Sequence, residues 1–509
     1  MKKELESLDS NTSMGPDRMH PQLLKLCAAS LAHPLALIAR KTMAEGTLPT
    51  EWKSSNITPI FKKGSHSDPL NYRPVSLTSV VCKVIERIVV AELNNYLVEN
   101  KIISNEQFGF QQGKSVEEQL LLTYNKITKW YDEGFPVDLI MFDFAKAFDT
   151  VNHKILMQKL KKIGVKGNLL KWIESFLVGR KMSVVLSGTK SSNVSVDSGV
   201  PQGSVIGPVL FIIFVNHLMS GLKNKVMMFA DDLKLYVKLP HPNQGLNVNT
   251  HGQEDIDLLV NTATSWGLKL NASKCVVLRF RRNFSQIAAN QIYTVNGAPL
   301  LEKEAHRDLG VLIDTSLKFH DHIRDTVFKA NGTSINLLKS TICRSPAFMT
   351  TLFVTHIRPI LDFCSTVWNT GYVGDMKMLE QVQRRWTKKI DGLENEPYSN
   401  RLRVLGLFSV QGRLLRTDLI MCWKIFHKKS TIQPSDLFEC PPQRVSTRGH
   451  EFKIFKTRFN TDIRKRFFSE RIIDVWNNLS VDTVSCSTLT QFKAKLAGEI
   501  EERLYEYTD

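Results

Sequence analysis

KVMMFADDLKLYVK, residues 225 to 238, is the stretch on which the reading of the chain turns. An apolar cluster runs into Ala230, Asp231 and Asp232, and LKLYV then alternates apolar and polar side chains with a period of two. The pattern predicts a β-hairpin with two adjacent carboxylates at its tip. Neighbouring aspartates repel each other and are poor strand formers, so they call for a cation, and a divalent metal is the natural one. An Asp-Asp pair at a hairpin tip is also met as an ordinary solvated turn. The rest of the chain decides between the two.

Upstream, VDLIMF (137–142) has the pattern of a short buried strand and delivers Asp143 to its C-terminal end, where sheet proteins place their chemistry. A carboxylate there needs a partner or a metal. Asp149 reads instead as the cap of a helix starting near Thr150, with apolar residues at Val151, Ile155, Leu156, Leu160 and Ile163 and a stop at Gly164. Between the two carboxylate stretches lies SGVPQGSVIGPVLFIIFVNHL (198–218). Its glycines and prolines predict a loop whose backbone can approach a ligand, followed by a buried helix; a purely structural loop is the alternative.

Basic residues stand nearer the N-terminus. NITPIFKKG (56–64) reads as a strand ending in Lys62 and Lys63. In NYRPVSL (71–77), Arg73 precedes Pro74, which holds it extended and lets the guanidinium project from a fixed position; a solvated basic face is the alternative. Helical patterns cover Pro21 to about Glu45, Ser79 to about Glu99, the stretch ending at Asp132, 168–180 and 253–267, whereas 1–20 and 103–115 read as polar turns and loop. A Val/Ser hairpin is expected at 181–197. LKLNASKCVVLRF turns into a strand and leaves Lys274 at the join, and 306–323 reads as a strand pair and a helix, with helices from about 324 onward.

The chain has 509 residues, 42% of them hydrophobic and 23% charged, enough apolar surface for real cores in roughly three domains. Its net charge of +17 suits a protein that meets polyanions, nucleic acid above all. Segment 448–471 interleaves Arg448, Lys453, Lys456, Arg458, Arg464, Lys465, Arg466 and Arg471 with Phe452, Phe455, Phe459, Phe467 and Phe468. That reads either as a strand-binding surface or as a basic amphipathic helix with its phenylalanines in the core. The scattered cysteines, without any C-x-x-C, look like reduced thiols. The N-terminus lacks an apolar signal core, and VLFIIFV (209–215) is too short to span a bilayer, so a soluble intracellular protein is expected.

Asp143 and Asp231 each end a strand pattern. Two carboxylate sites plus substrate phosphates are what two magnesium ions need when a hydroxyl attacks a phosphoryl group in line, so the combination implies nucleotidyl transfer.

With GPD (15–17), the strand ending in Lys62 and Lys63, NYRPVSL, FDFAKAFDTVNH (142–153), SGVPQGSVIGPVLF, FADD (229–232), GLKLNASK (267–274) and LGVLID (309–314) in this order, the chain resembles the reverse transcriptase of non-LTR (LINE-type) retrotransposons of the jockey and chicken-repeat kind. RPILDFCSTVWN (358–369), LEQVQRRWTKKI (379–390) and TRGHEFK (447–453) look like the C-terminal region of the same group.

The resemblance implies an α+β right-hand polymerase: an N-terminal extension of the fingers over 1–42, fingers and an antiparallel palm sheet over 43–314, a helical thumb over 315–400 and a basic nucleic-acid-binding region over 401–509. It implies that Asp143 and Asp231 bind two Mg2+ ions, for which Mn2+ can stand in, with support from Asp232 and the backbone carbonyl of Phe144. Arg73 and Lys62 would hold the triphosphate, and Gln202 and Gly203 would line the nucleotide pocket. Phe148 would stack under the sugar, Lys274 would protonate the leaving pyrophosphate, and Leu309 and Gly310 would belong to the primer grip. The implied partners are an RNA template, a DNA primer and deoxynucleoside triphosphates, with no membrane, and the compartment is the nucleus if integration is target-primed. Such elements carry an endonuclease before the polymerase, and none is visible here, so a fragment or truncated copy is expected. The rivals are a group II intron maturase, which shares the Ala-Asp-Asp hairpin, a viral-type RNA polymerase, and an inactive nucleic-acid-binding relic.

Overall fold

In the computed structural model of the chain, residues 1–241, 250–282, 291–440 and 449–507 are described. The N-terminal stretch carries α1 (Lys2–Glu6), α2 (Pro21–Leu26) and α3 (Ala28–Glu45). The polar composition of 1–20 conceals α1, which exists because Leu5 and Leu8 bury against Val80, Val81 and Val84. The single helix expected from Pro21 to Glu45 is instead two, parted at Cys27, where ψ opens to 15°. There follow β1 (Ser54–Phe61), β2 (Tyr72–Leu77) and α4 (Val80–Glu99), whose first turn is capped by Ser79 accepting from the Cys82 N–H at 3.2 Å. A Ser115/Glu118 capping box opens α5 (Val116–Asp132).

Beyond it come β3 (Val137–Phe142), α6 (His153–Lys162), α7 (Gly167–Leu177), β4 (Arg180–Leu186), β5 (Thr189–Lys190), β6 (Val194–Val196) and α8 (Gly207–Val215). Next are β7 (Lys225–Phe229), β8 (Asp232–Lys238), α9 (Gly252–Ser265) and β9 (Val276–Phe280). Three short strands, β10 (Thr294–Val295), β11 (Ala298–Pro299) and β12 (Leu301–Glu302), lead to the hairpin β13 (Ala305–Asp308) and β14 (Val311–Asp314), then to α10 (His320–Ser340), the strand pair and helix expected over 306–323. After α10 the described elements are all helical. None of the described helices is long and apolar enough to cross a membrane.

Two sheets organise this mixed α/β chain. The central one has the order β12-β9-β3-β8-β7, with β3 antiparallel to both β8 and β9. Its faces belong to different cores. Val137, Leu139 and Met141 of β3 join α5 and the C-terminal helices, while Ile140 and Phe142 join α6 to α9. In the second sheet β1 pairs antiparallel with β2 and, through its first half from Ser54 to Ile57, parallel with β4, a strand more than a hundred residues away.

α5 joins the sheet to the C-terminal helices by polar contacts. The Glu117 carboxylate accepts from Thr366 Oγ1 at 2.7 Å, Glu118 from the Thr431 N–H at 3.1 Å, and Asp132 from the Thr461 N–H at 2.7 Å. Arg464 donates to Asn125 Oδ1 at 2.7 Å and pairs with Glu470 at 3.0 Å. Much of the basic-aromatic segment is therefore interior structure. Arg471 pairs with Asp418 at 2.8 Å, Arg466 lies over the Tyr372 ring, and Phe467 and Phe468 are buried in the core, whereas Lys456 stays at the surface in an exposed pair with Asp474. The core reading of the phenylalanines holds for this part, and Arg448 lies outside the described residues.

The alternation in LKLYV predicts an exposed Lys234. It is 2% exposed, because α5 covers that face of β8 as well. Its ammonium sits 2.6 Å from Asp308 Oδ1 and donates to Gln119 Oε1 at 3.1 Å, while the Tyr124 hydroxyl donates to Asp308 Oδ2 at 2.8 Å. Removing one member of such a pair strands the other charge in the interior, at a cost of about 3–5 kcal/mol. Lys234→Met should therefore lower the urea-unfolding free energy by that amount, and Lys234→Met combined with Asp308→Leu should recover most of it. Equal destabilisation by the single and double variants would show that the pair is not coupled.

Candidate active site

The register Phe229↔Asp232 leaves only Ala230 and Asp231 to connect β7 and β8. Ala230 has φ 57°, a left-handed conformation that costs an L-residue about 1–2 kcal/mol. What holds it is a residue the sequence reading left in a loop. Gln107, fully buried, accepts through Oε1 from the Ala230 N–H at 3.0 Å and the Gly109 N–H at 2.8 Å, and its Nε2 donates to the Ala230 carbonyl at 3.4 Å. Residues 106–108 lie along the outer edge of β7, with Phe108 N–H to the Met228 carbonyl at 2.8 Å and Met228 N–H to the Glu106 carbonyl at 2.9 Å. A Cβ on Gly109 would stand 2.2 Å from the Ala230 nitrogen. The available signal was the need of an edge strand for a cover, with a glycine between two phenylalanines in QFGF to supply close approach.

Asp143 follows β3 directly. Phe142 pairs with Leu233, so the same register carried one step further sets Asp143 opposite Asp232. The peptides flanking Phe144 bond to the 269–271 segment, Asn271 N–H to the Asp143 carbonyl and Ala145 N–H to the Lys269 carbonyl, both at 2.8 Å. The Phe144 carbonyl therefore faces the other way, to the side of β8, while its ring is buried in the core. Lys274 Nζ lies 3.3 Å from Asp143 Oδ2, so these two predicted site residues, to which the sequence assigned separate roles, meet as an exposed ion pair.

The electrostatics carry the same message. Burial first, and then Asp143, push the Asp231 carboxyl above its ordinary range, against its own backbone N–H and the fields of Arg73 and Lys62. Asp232 stands exposed at the turn, yet partial loss of solvent and the Asp231 charge raise it to about 6, with Asp308 and Asp143 adding to the push and Lys234 opposing it. Among the described residues no group of three or more His, Cys, Asp or Glu side chains stands in metal-ligand arrangement. Carboxylates that disfavour each other's charge, beside a backbone carbonyl, are all-oxygen donors, and they fit a hard divalent cation that takes its other ligands from water or phosphate.

Arg73 and Lys62 sit on the β1–β2 hairpin, Arg73 extended opposite Ile60 and Lys62 bound through its N–H to the Asn71 carbonyl at 2.8 Å. Both side chains are exposed. Gln202 joins this hairpin to the turn after β3: its carbonyl accepts from the Ser76 N–H at 2.7 Å and its Nε2 donates to Asp149 Oδ1 at 2.8 Å. Asp149 is thus no helix cap. That task falls to Asn152, which accepts from the Ile155 N–H, and α6 starts at His153. The loop glycines serve contact between backbones: with φ 125°, Gly203 has no room for a Cβ, which would meet the Ser76 carbonyl at 2.5 Å, and Gly199 abuts Asp149 in the same way.

Phe148 is half-buried. It stacks on Phe211 at 4.2 Å with its edge toward Phe110, and its carbonyl accepts from the Val200 N–H. Leu309 and Gly310 form the two-residue turn of the β13–β14 hairpin, both with positive φ, and Gly310 lies against the Phe363 ring. Through Asp308 and Lys234 that turn is tied to the strand that begins at Asp232.

Residues 60–349 match the family of reverse transcriptases (RNA-dependent DNA polymerases). The chain belongs to that family. It is 29% identical over 402 residues to a probable RNA-directed DNA polymerase from transposon BS of Drosophila melanogaster, covering 76% of this chain and 43% of that protein. It is 28% identical to the RNA-directed DNA polymerase from mobile element jockey of Drosophila funebris, over 77% of this chain and 43% of that one. A probable RNA-directed DNA polymerase from transposon X-element of Drosophila melanogaster is 26% identical over 76% of this chain. The resemblance to non-LTR retrotransposon polymerases read from the motifs is borne out, and the chain spans less than half the length of these relatives. A solved apo telomerase from Candida tropicalis, truncated from its C-terminal domain, overlaps 56% of this chain and 59% of its own at 14% identity and a TM-score of 0.36, too low to add to the fold.

The raised carboxyls make cation binding pH-dependent. Because the folded-state value of Asp232 lies above the ordinary 3.8, the cation-free fold takes up a proton as pH falls through about 6 and gains stability relative to the unfolded chain, whereas a cation must displace that proton. Mn2+ affinity followed by water-proton relaxation should fall as pH is lowered from 7 to 5, and Asp232→Asn should flatten that dependence. An unchanged slope in the variant would assign the proton elsewhere.

Proposed function

We propose that the chain is an RNA-directed DNA polymerase that extends a DNA primer on an RNA template. The observation that carries this is the meeting of Asp143 with the Asp231–Asp232 turn at adjacent strand ends, within the field of Arg73 and Lys62, in a chain that belongs to the reverse transcriptase family. The central sheet acts as the palm, the β1–β2–β4 sheet and neighbouring helices as fingers over 43–314 behind an extension at 1–42, and the helices of 315–400 as the thumb. Residues 401–509 add nucleic-acid contacts from the cations that remain exposed.

In this reading Asp143 and Asp231 hold two Mg2+ ions, or Mn2+ in their place, with Asp232 and the Phe144 carbonyl in support. When bound, such ions lower the pKa of the primer hydroxyl and neutralise charge on the phosphates. Arg73 and Lys62, aimed from a rigid hairpin, hold the triphosphate. Gln202 and Gly203 line the nucleotide site, and the hydrogen bond from Gln202 to Asp149 keeps that wall fixed to the turn that carries Phe148. Lys274, which pairs with Asp143, turns to the leaving pyrophosphate as proton donor once triphosphate competes for it. Leu309 and Gly310 steady the primer end. The nucleus is the site of action if the primer is nicked chromosomal DNA.

Primer extension on an RNA template with Mg2+ and deoxynucleotides tests the proposal. The parent chain should extend, while Asp143→Ala and Asp231→Ala should fall to background with template affinity nearly intact, since that affinity comes from dispersed cations. Wild-type extension by either variant would remove the assignment of cation ligands.

Phe148 sets the choice of sugar. An aromatic ring beneath the incoming ribose leaves no space for a 2′-hydroxyl, so Phe148→Val should raise the kcat/KM ratio of ribonucleotide to deoxynucleotide about tenfold or more. The stacking on Phe211 also favours a packing role, whose loss would cost up to about 2–4 kcal/mol. A lowered melting temperature with an unchanged ratio would leave only that role.

A further inference from the structure

Residues 106–109 take no part in the chemistry proposed above, yet their contacts converge on the turn that presents Asp231. A residue's backbone conformation is fixed when the two peptide planes beside it are fixed. Gln107 holds both planes beside Ala230. Its Oε1 takes the Ala230 N–H, which belongs to the plane before, and its Nε2 gives to the Ala230 carbonyl, which belongs to the plane that also carries the Asp231 nitrogen. Gly109 closes the arrangement, bonding the same Oε1 and lying so near Ala230 that no side chain fits between them.

A left-handed alanine does not hold itself, since asparagine and glycine are the residues that favour such turns. The side chain that compensates is 0% exposed and comes from a segment more than a hundred residues upstream. We propose that Gln107 is a positioning residue for the Asp231 carboxylate: it clamps the Ala230 turn so that Asp231 is aimed before any cation arrives, and Gly109 is the neighbour that lets the clamp close. The inference rests on Asp231 being a cation ligand. It goes beyond that assignment by placing the geometry of the ligand under the control of the 106–109 segment.

The test uses the full chain and Mn2+ binding by water-proton relaxation, alongside kcat and KM for deoxynucleotide in primer extension and the melting temperature. Gln107→Met keeps length and burial but removes all three hydrogen bonds. Gln107→Asn keeps the amide but draws it back by one methylene, and serves if the methionine variant does not fold. Outer-shell partners of this kind are worth 10–100-fold, so either variant should weaken Mn2+ binding about tenfold and lower kcat with KM for deoxynucleotide little changed. Gly109→Ala, which pushes on the turn by contact alone, should do the same.

Gln383→Met, at an equally buried glutamine that bonds Tyr398 and Arg413 within the C-terminal helices, should lower the melting temperature without moving Mn2+ affinity. Parent-like Mn2+ affinity in Gln107→Met, or an equal loss of it in Gln383→Met, would overturn the proposal. So would Asp231→Asn that binds Mn2+ as well as the parent, because the ligand itself would then be wrong. A parent chain that binds Mn2+ but extends no primer would refute the polymerase reading while the comparison at Gln107 still decides this one.

Discussion

The buried ion pair between Lys234 and Asp308 constrains the rest of the molecule. It lies two residues beyond Asp232 on one strand and one residue before Leu309 on another, so a single contact couples the acidic turn to the hairpin that carries Gly310. A charge pair in the interior is a weak source of stability but a strong source of register, because any slip of β8 by one residue would turn Lys234 toward the opposite core and leave Asp308 without its cation. Gln119 and Tyr124 fill the remaining hydrogen-bonding positions from α5. The helix, the strand and the hairpin are consequently fixed against one another at the level of individual atoms.

A second set of contacts fixes the basic side of the site. The 198–206 loop bonds β2 through Gln202 and Ser76 and bonds the turn after β3 through Gln202, Asp149 and Val200. Its glycines provide backbone-to-backbone approach at two seams, and a Cβ at Gly199 or Gly203 would wedge them open. The distance between the cationic hairpin and the carboxylates is thereby set by main-chain bonds, not by the long side chains of Arg73 and Lys62. Preorganisation of that sort suits a site that must meet a highly charged substrate.

The sequence disclosed elements wherever local pattern and tertiary role agreed. β3, α5, α8 and the β7–β8 hairpin follow from apolar runs, caps and an acidic tip, and Asp143 was marked by standing at a buried strand end. It misled where a polar side chain was spent inside. Lys234 looked like the solvent half of an alternating strand, and Arg464 and Arg471 looked like free cations, because their partners are hundreds of residues away or on another element. Asp149 had the right type and place for a cap, but Asn152 is nearer the helix start and Gln202 competes for the carboxylate. Gln107 carried no periodicity, since its role is written in the geometry of a turn 123 residues away.

The polar contacts of α5 also bear on how the protein comes to exist. Glu118 finds Thr431 across a separation of 313 residues, and Asn125 finds Arg464 across 339. At ribosomal speeds of about 5–20 residues per second, a nascent chain waits roughly 20–70 s between making α5 and making the groups that satisfy it. During that interval one face of the helix offers unpaired carboxylates and amides beside apolar surface, a natural client for chaperones. Native order at the acidic turn, which α5 supports from behind, is in this way coupled to translation of the C-terminal helices, and a product cut short before residue 464 would leave the ribosome with Asn125 of α5 lacking its Arg464 partner.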